Sequence, residues 1–223
     1  MNIKTKNIIA LLVDVVLVAM ISASCIMLFN GSNGVPKSGN IEFLKYFTVL
    51  SNIMMGFAAL IMIPVDILIL AHKKEKCPLW VKSFMHVSAT GVALTMLTVF
   101  FFLGPTMGFD TMFVQANLFM HLFSPIVAII RVIFFEHEEE RLPFYATFFG
   151  VIPLSIYGAF YLINIIVHNG YGTAQYDWYG FGAGGLGLGI VSYAVVSLSV
   201  YLISFLLYFG QKKMLALYKK TSK

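Results

Sequence analysis

The chain has few charged residues. Asp, Glu, Lys and Arg together make up 11% of its 223 residues, whereas a soluble globular domain carries about a quarter. So little charge excludes an ordinary soluble fold. In its place are 59% apolar residues, a mean hydropathy of +0.86 and repeated apolar runs. Runs of about 20 residues are long enough to cross a bilayer as a helix. The composition predicts an all-α, polytopic membrane protein.

Cysteine is also scarce, with only two residues in the chain. Cys25 lies near the end of the first apolar run and Cys77 in a loop after the second, so the predicted bundle separates them too widely for a disulfide. No Cys/His set has metal-ligand spacing, and neither a Gly-rich phosphate loop nor a Gly-x-Ser-x-Gly elbow is present. The sequence therefore predicts no metal and no cofactor.

Six apolar runs are separated by short turn-forming or charged segments. They predict a single helical bundle over residues 1–223, with spans at 8–29, 43–71, 80–104, 113–135, 144–167 and 186–210. Most Lys and Arg residues fall on one side of this bundle, and the loops of the other side hold only Lys37 and Lys45. The positive-inside rule therefore predicts cytoplasmic termini. Short loops and lysine-rich ends favour a bacterial plasma membrane.

The net charge of +5 is explained by this asymmetry of the loops, and no nucleic-acid partner is expected. Inside the membrane, polar residues are costly and normally face the interior of the bundle. An inner layer of them is predicted near the cytoplasmic side: Asp14, Asp66, His86 and Arg131. One interpretation is structural, with Arg131 neutralising Asp14 or Asp66 and holding helices together. The other is a proton relay or coupling site in a transporter.

An outer layer of polar residues occurs where the second and fourth spans begin. Each of these spans carries three polar residues on one helical face: Thr48, Ser51 and Asn52 on the second, and Asn117, His121 and Ser124 on the fourth. Both spans run from outside to inside in the predicted topology. Thr48 is roughly 8 Å, and His121 roughly 12 Å, past the start of its helix. A hydroxyl and an imidazole are therefore expected at similar depth below the outer headgroups.

This pairing has a possible chemical use. A Thr hydroxyl becomes an effective nucleophile when a base takes its proton, and His is the usual base near neutral pH. An amide side chain can orient the imidazole or donate to an oxyanion. Thr48 and His121 are the candidate catalytic pair, and the candidate orienting or substrate-binding residues are Ser51, Asn52, Asn117, Ser124, Trp178 and Tyr179.

A structural interpretation of the same residues stays open. Thr48 can bond to a carbonyl of its own helix, and His121 can make a single interhelical hydrogen bond. Trp178 and Tyr179 fit equally well in the aromatic belt at a membrane interface.

Two short motifs resemble those of a known family. Lys-Tyr-Phe-Thr-Val-Leu-Ser-Asn at 45–52 resembles the second-helix motif of the androgen-induced-protein / androgen-dependent TFPI-regulating protein family. Met-His-Leu-Phe-Ser-Pro at 120–125, continuing to Arg131 and Glu136, resembles its fourth-helix histidine motif. The resemblance implies six membrane helices with cytoplasmic ends and hydrolysis of lipid esters, notably fatty acid esters of hydroxy fatty acids. The family's Thr nucleophile matches Thr48, and its His matches His121.

Three functions are compatible with the sequence. The leading one is an integral-membrane lipid-ester hydrolase near the outer leaflet of the cell membrane, with membrane lipids around it and a lipid ester as substrate. Transfer of the acyl group to water or to another alcohol stays open. The alternatives are a small-solute or proton-coupled transporter that uses the inner layer, and a non-catalytic lipid-binding membrane protein. The sequence predicts no particular oligomeric state.

Overall fold

The computed structural model describes residues 3–31, 41–135 and 142–221. Lys37 and Glu136, which bear on the predicted topology and on the fourth-helix motif, lie outside these ranges. Six long helices account for most of the described chain: α1 Ile3–Phe29, α2 Phe47–Leu70, α3 Leu79–Met107, α4 Gln115–Phe134, α5 Ala146–Val167 and α6 Leu186–Thr221. Each is long and apolar enough to cross a membrane. The prediction of an all-α, polytopic membrane protein is confirmed.

Three helix boundaries differ from the predicted spans by four residues or more. The first helix begins at Ile3 rather than near residue 8. The second helix begins at Phe47 rather than near residue 43, because Ile41–Lys45 forms a separate 3-10 turn. The last helix continues past residue 210 to Thr221. The span predicted from the sequence ended at residue 210, because lysines interrupt the apolar run just after it. However, Gln, Lys, Met, Leu and Ala are all good helix formers, so the backbone keeps its helical conformation beyond the apolar part.

The most buried helix is α3, which packs against α2, α4 and α6. Met55 and Met62 of α2, Met85 of α3 and Val132 of α4 are completely or almost completely buried between these helices. Large apolar side chains cover the outside of the bundle, as expected for a surface that faces hydrocarbon rather than water. Lys6 lies over the ring of Tyr218 at 4.6 Å, so both termini lie at one end of the bundle, here called the terminal end.

Two helices contain a π-helical turn, and each turn ends two residues before a proline. The turns are Val99–Leu103 of α3, before Pro105, and Phe119–Phe123 of α4, before Pro125. Proline lacks an N–H group, and its ring clashes with the carbonyl four residues earlier in a regular α-helix. The helix widens locally to relieve that clash, as single π-helical turns do, often at functional sites.

Candidate functional site

A cavity of about 230 Å³ lies at the end of the bundle opposite the termini. We call it the chamber. Five of the eight residues predicted for the catalytic pair and its surroundings line it: Thr48, Asn117, His121, Trp178 and Tyr179. They come from α2, from α4 and from the loop before α6. The rest of the wall is mostly apolar and includes the aromatic rings of Phe43 and Tyr46.

Thr48 presents an available hydroxyl to the chamber. The residue is half-buried, and within the described part of the chain its Oγ1 has no hydrogen-bond partner. Other helical threonines of this protein do bond to their own helix. Thr90, for example, donates to the carbonyl of His86 at 2.8 Å. The expected alternative for Thr48, a bond to a carbonyl of its own helix, is therefore absent.

His121 is 6% exposed, and one of its ring nitrogens has a fixed partner. Nδ1 lies 2.7 Å from the carbonyl oxygen of Met112. A carbonyl can only accept, so Nδ1 carries the proton of the neutral ring and Nε2 carries the lone pair. Met112 is the last residue of a short helix, Phe109–Met112, where terminal carbonyls lack helical donors. The Met112 carbonyl, at the C-terminal end of this short helix, therefore favours the tautomer of His121 in which Nε2 can act as a base.

Thr48 and His121 are not directly hydrogen-bonded to each other. They lie on the wall of the same chamber, and within the described residues His121 Nε2 has no protein partner. The arrangement offers a hydroxyl and a basic nitrogen to a molecule that fills the space between them. Catalytic hydrogen bonds are often long in an empty site and shorten when substrate binds.

Asn52 connects the helix segments that carry these two residues. Its Nδ2 donates to the carbonyl of Thr48 at 2.8 Å and to the carbonyl of Met120 at 3.1 Å. The Met120 carbonyl has no helical donor, because Ser124 N–H bonds to Phe119 instead and Pro125 has no N–H. Asn52 therefore satisfies an acceptor that the proline exposes, next to His121.

Two other predicted residues lie behind the chamber wall. Ser51 bonds to the Thr48 carbonyl at 3.0 Å and lies 3.2 Å from the hydroxyl of Thr95 on α3, so it joins two helices. Ser124 is completely buried, and its Oγ has no partner among the described residues. Neither residue lines the chamber, and we assign both to helix packing.

The loop between Val167 of α5 and Leu186 of α6 closes one side of the chamber, and we call it the roof. A buried carboxylate in this loop holds it together by hydrogen bonds. Asp177 is 3% exposed. Its Oδ1 accepts from the hydroxyl of Tyr161, and its Oδ2 accepts from the N–H groups of Gly172 at 2.9 Å and Gly182 at 3.0 Å. A carboxylate with three donors is well compensated for its burial. Asp177 was not among the predicted residues, although a single acidic residue inside the aromatic run YDWYG was a visible signal.

Tyrosine hydroxyls attach this roof to the start of α2. The N–H of Phe47 donates to the hydroxyl of Tyr179 at 2.8 Å, which satisfies one of the free donors of the first helical turn. The Tyr157 hydroxyl donates to the carbonyl of Lys45 at 2.7 Å and accepts from Trp178 Nε1 at 3.1 Å. Burial raises the pKa of Tyr179 well above its ordinary value, so its hydroxyl stays neutral. Thr48, one residue after Phe47, is thereby held against the roof.

The inner layer forms a separate, buried ion-pair cluster nearer the terminal end. Arg131 donates through Nε to both carboxylate oxygens of Asp14 at 3.0 Å, and its Nη2 lies 3.4 Å from Asp66 Oδ2. All three residues are 0% exposed. His86 has a different partner, the hydroxyl of Ser204 at 2.9 Å. No member of this layer lines the chamber.

Comparisons with protein-family models, with curated proteins and with solved structures find no match. The class that the fold defines is a polytopic helical membrane protein with six candidate spans. Within the described ranges, no group of three His, Cys, Asp or Glu side chains is placed to hold a metal ion. The chemistry that the chamber offers is that of a hydroxyl, an imidazole and aromatic or amide hydrogen-bonding groups.

Proposed function

We propose that the protein is an integral-membrane hydrolase of lipid esters, with Thr48 as nucleophile and His121 as base. The observation that supports this most directly is the shared chamber. On its wall lie a hydroxyl and an imidazole nitrogen that have no hydrogen-bond partner among the residues the structure describes. The motifs around both residues resemble those of the six-helix threonine hydrolases, and fatty acid esters of hydroxy fatty acids are therefore a reasonable first substrate class.

The proposed reaction has two steps. In the first, Thr48 Oγ1 attacks the ester carbonyl while His121 Nε2 takes the hydroxyl proton. The C–O bond to the alcohol then breaks, and His121 gives that proton to the leaving alcohol oxygen. In the second, His121 takes a proton from water as the water attacks the acyl-threonine. The bond from the acyl carbon to Thr48 Oγ1 then breaks, and His121 returns the proton to Oγ1, so that a fatty acid leaves and both residues are regenerated. Tyr46, also on the chamber wall, is the candidate donor to the developing oxyanion, because Asn117 Nδ2 already donates to the Thr111 carbonyl at 3.2 Å.

The location of the chamber suits an ester group near a membrane surface. It lies at the end of the bundle opposite the termini, where α2 begins and α3 ends. The positive-inside rule predicts cytoplasmic termini, and with that orientation the chamber would lie on the outer side of the membrane. Ester groups of membrane lipids occupy that interfacial level, with their acyl chains directed into the hydrocarbon.

The inner layer, in this proposal, is structural rather than a transport pathway. Arg131 is completely buried and engages Asp14 and Asp66 together, which joins α1, α2 and α4. Its remaining Nη1 donates to the carbonyl of Phe135 at 2.7 Å, near the end of α4. This fully partnered arrangement favours a fixed ion-pair cluster over a relay that must exchange protons.

A fluorophosphonate probe tests the proposal on the full-length protein in detergent or nanodiscs. We expect wild type and Thr48→Ser to be labelled and Thr48→Ala to be unlabelled. His121→Gln should slow labelling by about 10²–10⁴-fold, because the base is lost. The matched control is Thr106→Ala, which removes a hydroxyl that bonds to a carbonyl of its own helix at 2.8 Å. If Thr48→Ala is labelled as fast as wild type, Thr48 is not the nucleophile.

A further inference from the structure

A wide groove runs along the outside of the bundle between α3 and α6. It has a volume of about 700 Å³, and its walls include Phe101 of α3 and Leu206 of α6. These side chains are 80% and 66% exposed, so the groove opens away from the protein core. From Leu188 to Leu206, both of which line it, the groove follows α6 for roughly 27 Å at 1.5 Å per residue. That length nearly matches the hydrocarbon thickness of a bilayer, about 30 Å.

A smaller cavity lies between this groove and the chamber. We call it the neck, and its volume is only about 70 Å³. The neck shares four lining residues with the groove: Leu94, Thr98, Phe181 and Val196. It shares three with the chamber: Thr48, Leu103 and Tyr179. Groove, neck and chamber therefore lie in series, and Thr48 marks the boundary between the neck and the chamber.

The neck limits what can pass. At about 70 Å³ it is the smallest of the three cavities, against about 230 Å³ for the chamber and about 700 Å³ for the groove. Phe181 narrows it from one side, with its ring 5.4 Å from that of Phe102 on the groove side and 5.4 Å from that of Tyr179 on the chamber side. Gly189 also lines the neck without a side chain, and a Cβ there would lie 3.3 Å from Leu162. A cavity this small, with an aromatic ring on its wall, favours one unbranched chain over a bulkier group.

Polarity changes along the same path. The groove is lined mainly by aliphatic and aromatic side chains, with hydroxyls only at Thr98, Ser192 and Ser199. The neck has more threonines and tyrosines, but the surface that they and their neighbours present to it is mostly apolar. The chamber adds an imidazole, an amide and the indole of Trp178. A molecule with one long apolar arm and one polar arm would therefore have its junction at Thr48.

We propose that the groove between α3 and α6 is the lateral entrance for a single unbranched acyl chain of a membrane lipid. The chain passes through the neck, its carbonyl carbon reaches Thr48, and the alcohol part of the ester occupies the chamber. The reaction at that carbonyl rests on the proposed function, whereas the binding of the chain in groove and neck does not. We expect the small neck to disfavour methyl-branched chains.

The test is photocrosslinking of full-length Thr48→Ala protein, which cannot turn over an ester, in phosphatidylcholine/phosphatidylglycerol nanodiscs. The probe is a straight-chain monoacylglycerol with a diazirine near its methyl end and an alkyne for enrichment. We expect adducts on residues 94–102 of α3 and 188–206 of α6. A methyl-branched probe of equal length should label these residues about tenfold less.

Two substitutions on α6 form a matched pair. Val196→Trp fills the junction of neck and groove and should lower straight-chain labelling about tenfold. Leu198→Trp, on the same helix but outside the three cavities and 60% exposed, should leave labelling unchanged. Ser199→Trp, in the groove, repeats the block at a second position, and thermal unfolding of each variant reports whether it is folded.

The outcomes separate the two proposals. Adducts spread evenly around the bundle, or folded Val196→Trp and Ser199→Trp proteins that label like the Thr48→Ala parent, would overturn the entrance. Groove adducts that depend on Val196, together with no ester hydrolysis by wild type, would support the lateral entrance and contradict the proposed hydrolase activity. Groove adducts together with Thr48-dependent hydrolysis support both.

Discussion

Removing the Asn52 amide should destabilise the region that brings Thr48 and His121 to one chamber. Asn52 is completely buried, and its Nδ2 is the donor to the Met120 carbonyl, which the π-helical turn before Pro125 leaves without a helical partner. In Asn52→Ala this carbonyl has no donor and no access to water. The Thr48 carbonyl is less affected, because Ser51 still donates to it at 3.0 Å.

The magnitude follows from the group left unpaired. An unsatisfied buried acceptor costs about 1–3 kcal/mol, and polar contacts between membrane helices average about 0.6 kcal/mol, with a maximum near 1.7. We therefore expect Asn52→Ala to lose about 1–2 kcal/mol of unfolding free energy. At roughly 2–4 °C per kcal/mol for a chain of this size, the Tm in detergent should fall by a few degrees. Hydrolysis, if present, should fall with it, because His121 follows Met120 directly.

A double-mutant cycle identifies the cause of that loss. Pro125→Ala restores an N–H group that can reach the Met120 carbonyl, so Asn52→Ala should be less destabilising in the Pro125→Ala background, with a coupling of at least about 0.5 kcal/mol. Pro105→Ala is the matched control, since it changes the other π-helical turn, where Asn52 makes no hydrogen bond. Strict additivity in the Pro125 cycle would refute the reasoning, as would equal coupling in the Pro105 cycle.

Two further predictions concern the ends of the bundle. Arg131→Gln leaves two buried carboxylates without their cation and should lower the unfolding free energy by about 3–5 kcal/mol. Size-exclusion chromatography should show a large loss of monodisperse protein. An unchanged elution profile and an unchanged Tm would contradict the ion-pair role. Tyr179→Phe removes the acceptor for the Phe47 N–H and should cost about 1 kcal/mol, measured as a thermal shift. Tyr176→Phe, on the same loop, is its control, and equal shifts for both would contradict the proposed link to α2.

The six helices and the chamber residues could be predicted from local patterns. Apolar runs of membrane length define the spans, and helical spacing placed Asn117 and His121 on one face. The spacing also placed Thr48, Ser51 and Asn52 together, yet the three contact different neighbours: the chamber, α3 and α4. A helical face is more than 100° wide, so residues that share it need not share a partner.

Other features depend on contacts between residues distant in sequence. Asp177 and its partner Tyr161 lie in a loop and in α5, and no periodicity connects them. The role of Asn52 depends on the position of the π-helical turn of α4 beside α2, because Asn52 must lie within reach of the Met120 carbonyl that this turn leaves without a helical donor. The neck depends on the packing of the Phe181 loop segment against α3, α5 and α6. Such features follow from the assembled bundle rather than from the pattern of any one segment.

The central claim is that Thr48 is a nucleophile activated by His121. Peptide mapping by mass spectrometry of the fluorophosphonate-treated full-length protein tests it most directly. The account predicts an adduct on the Oγ1 of Thr48 that is strong in wild type, absent in Thr48→Ala and greatly reduced in His121→Gln. An adduct on another residue, such as the neighbouring Ser51, or labelling of Thr48 that does not depend on His121, would contradict it.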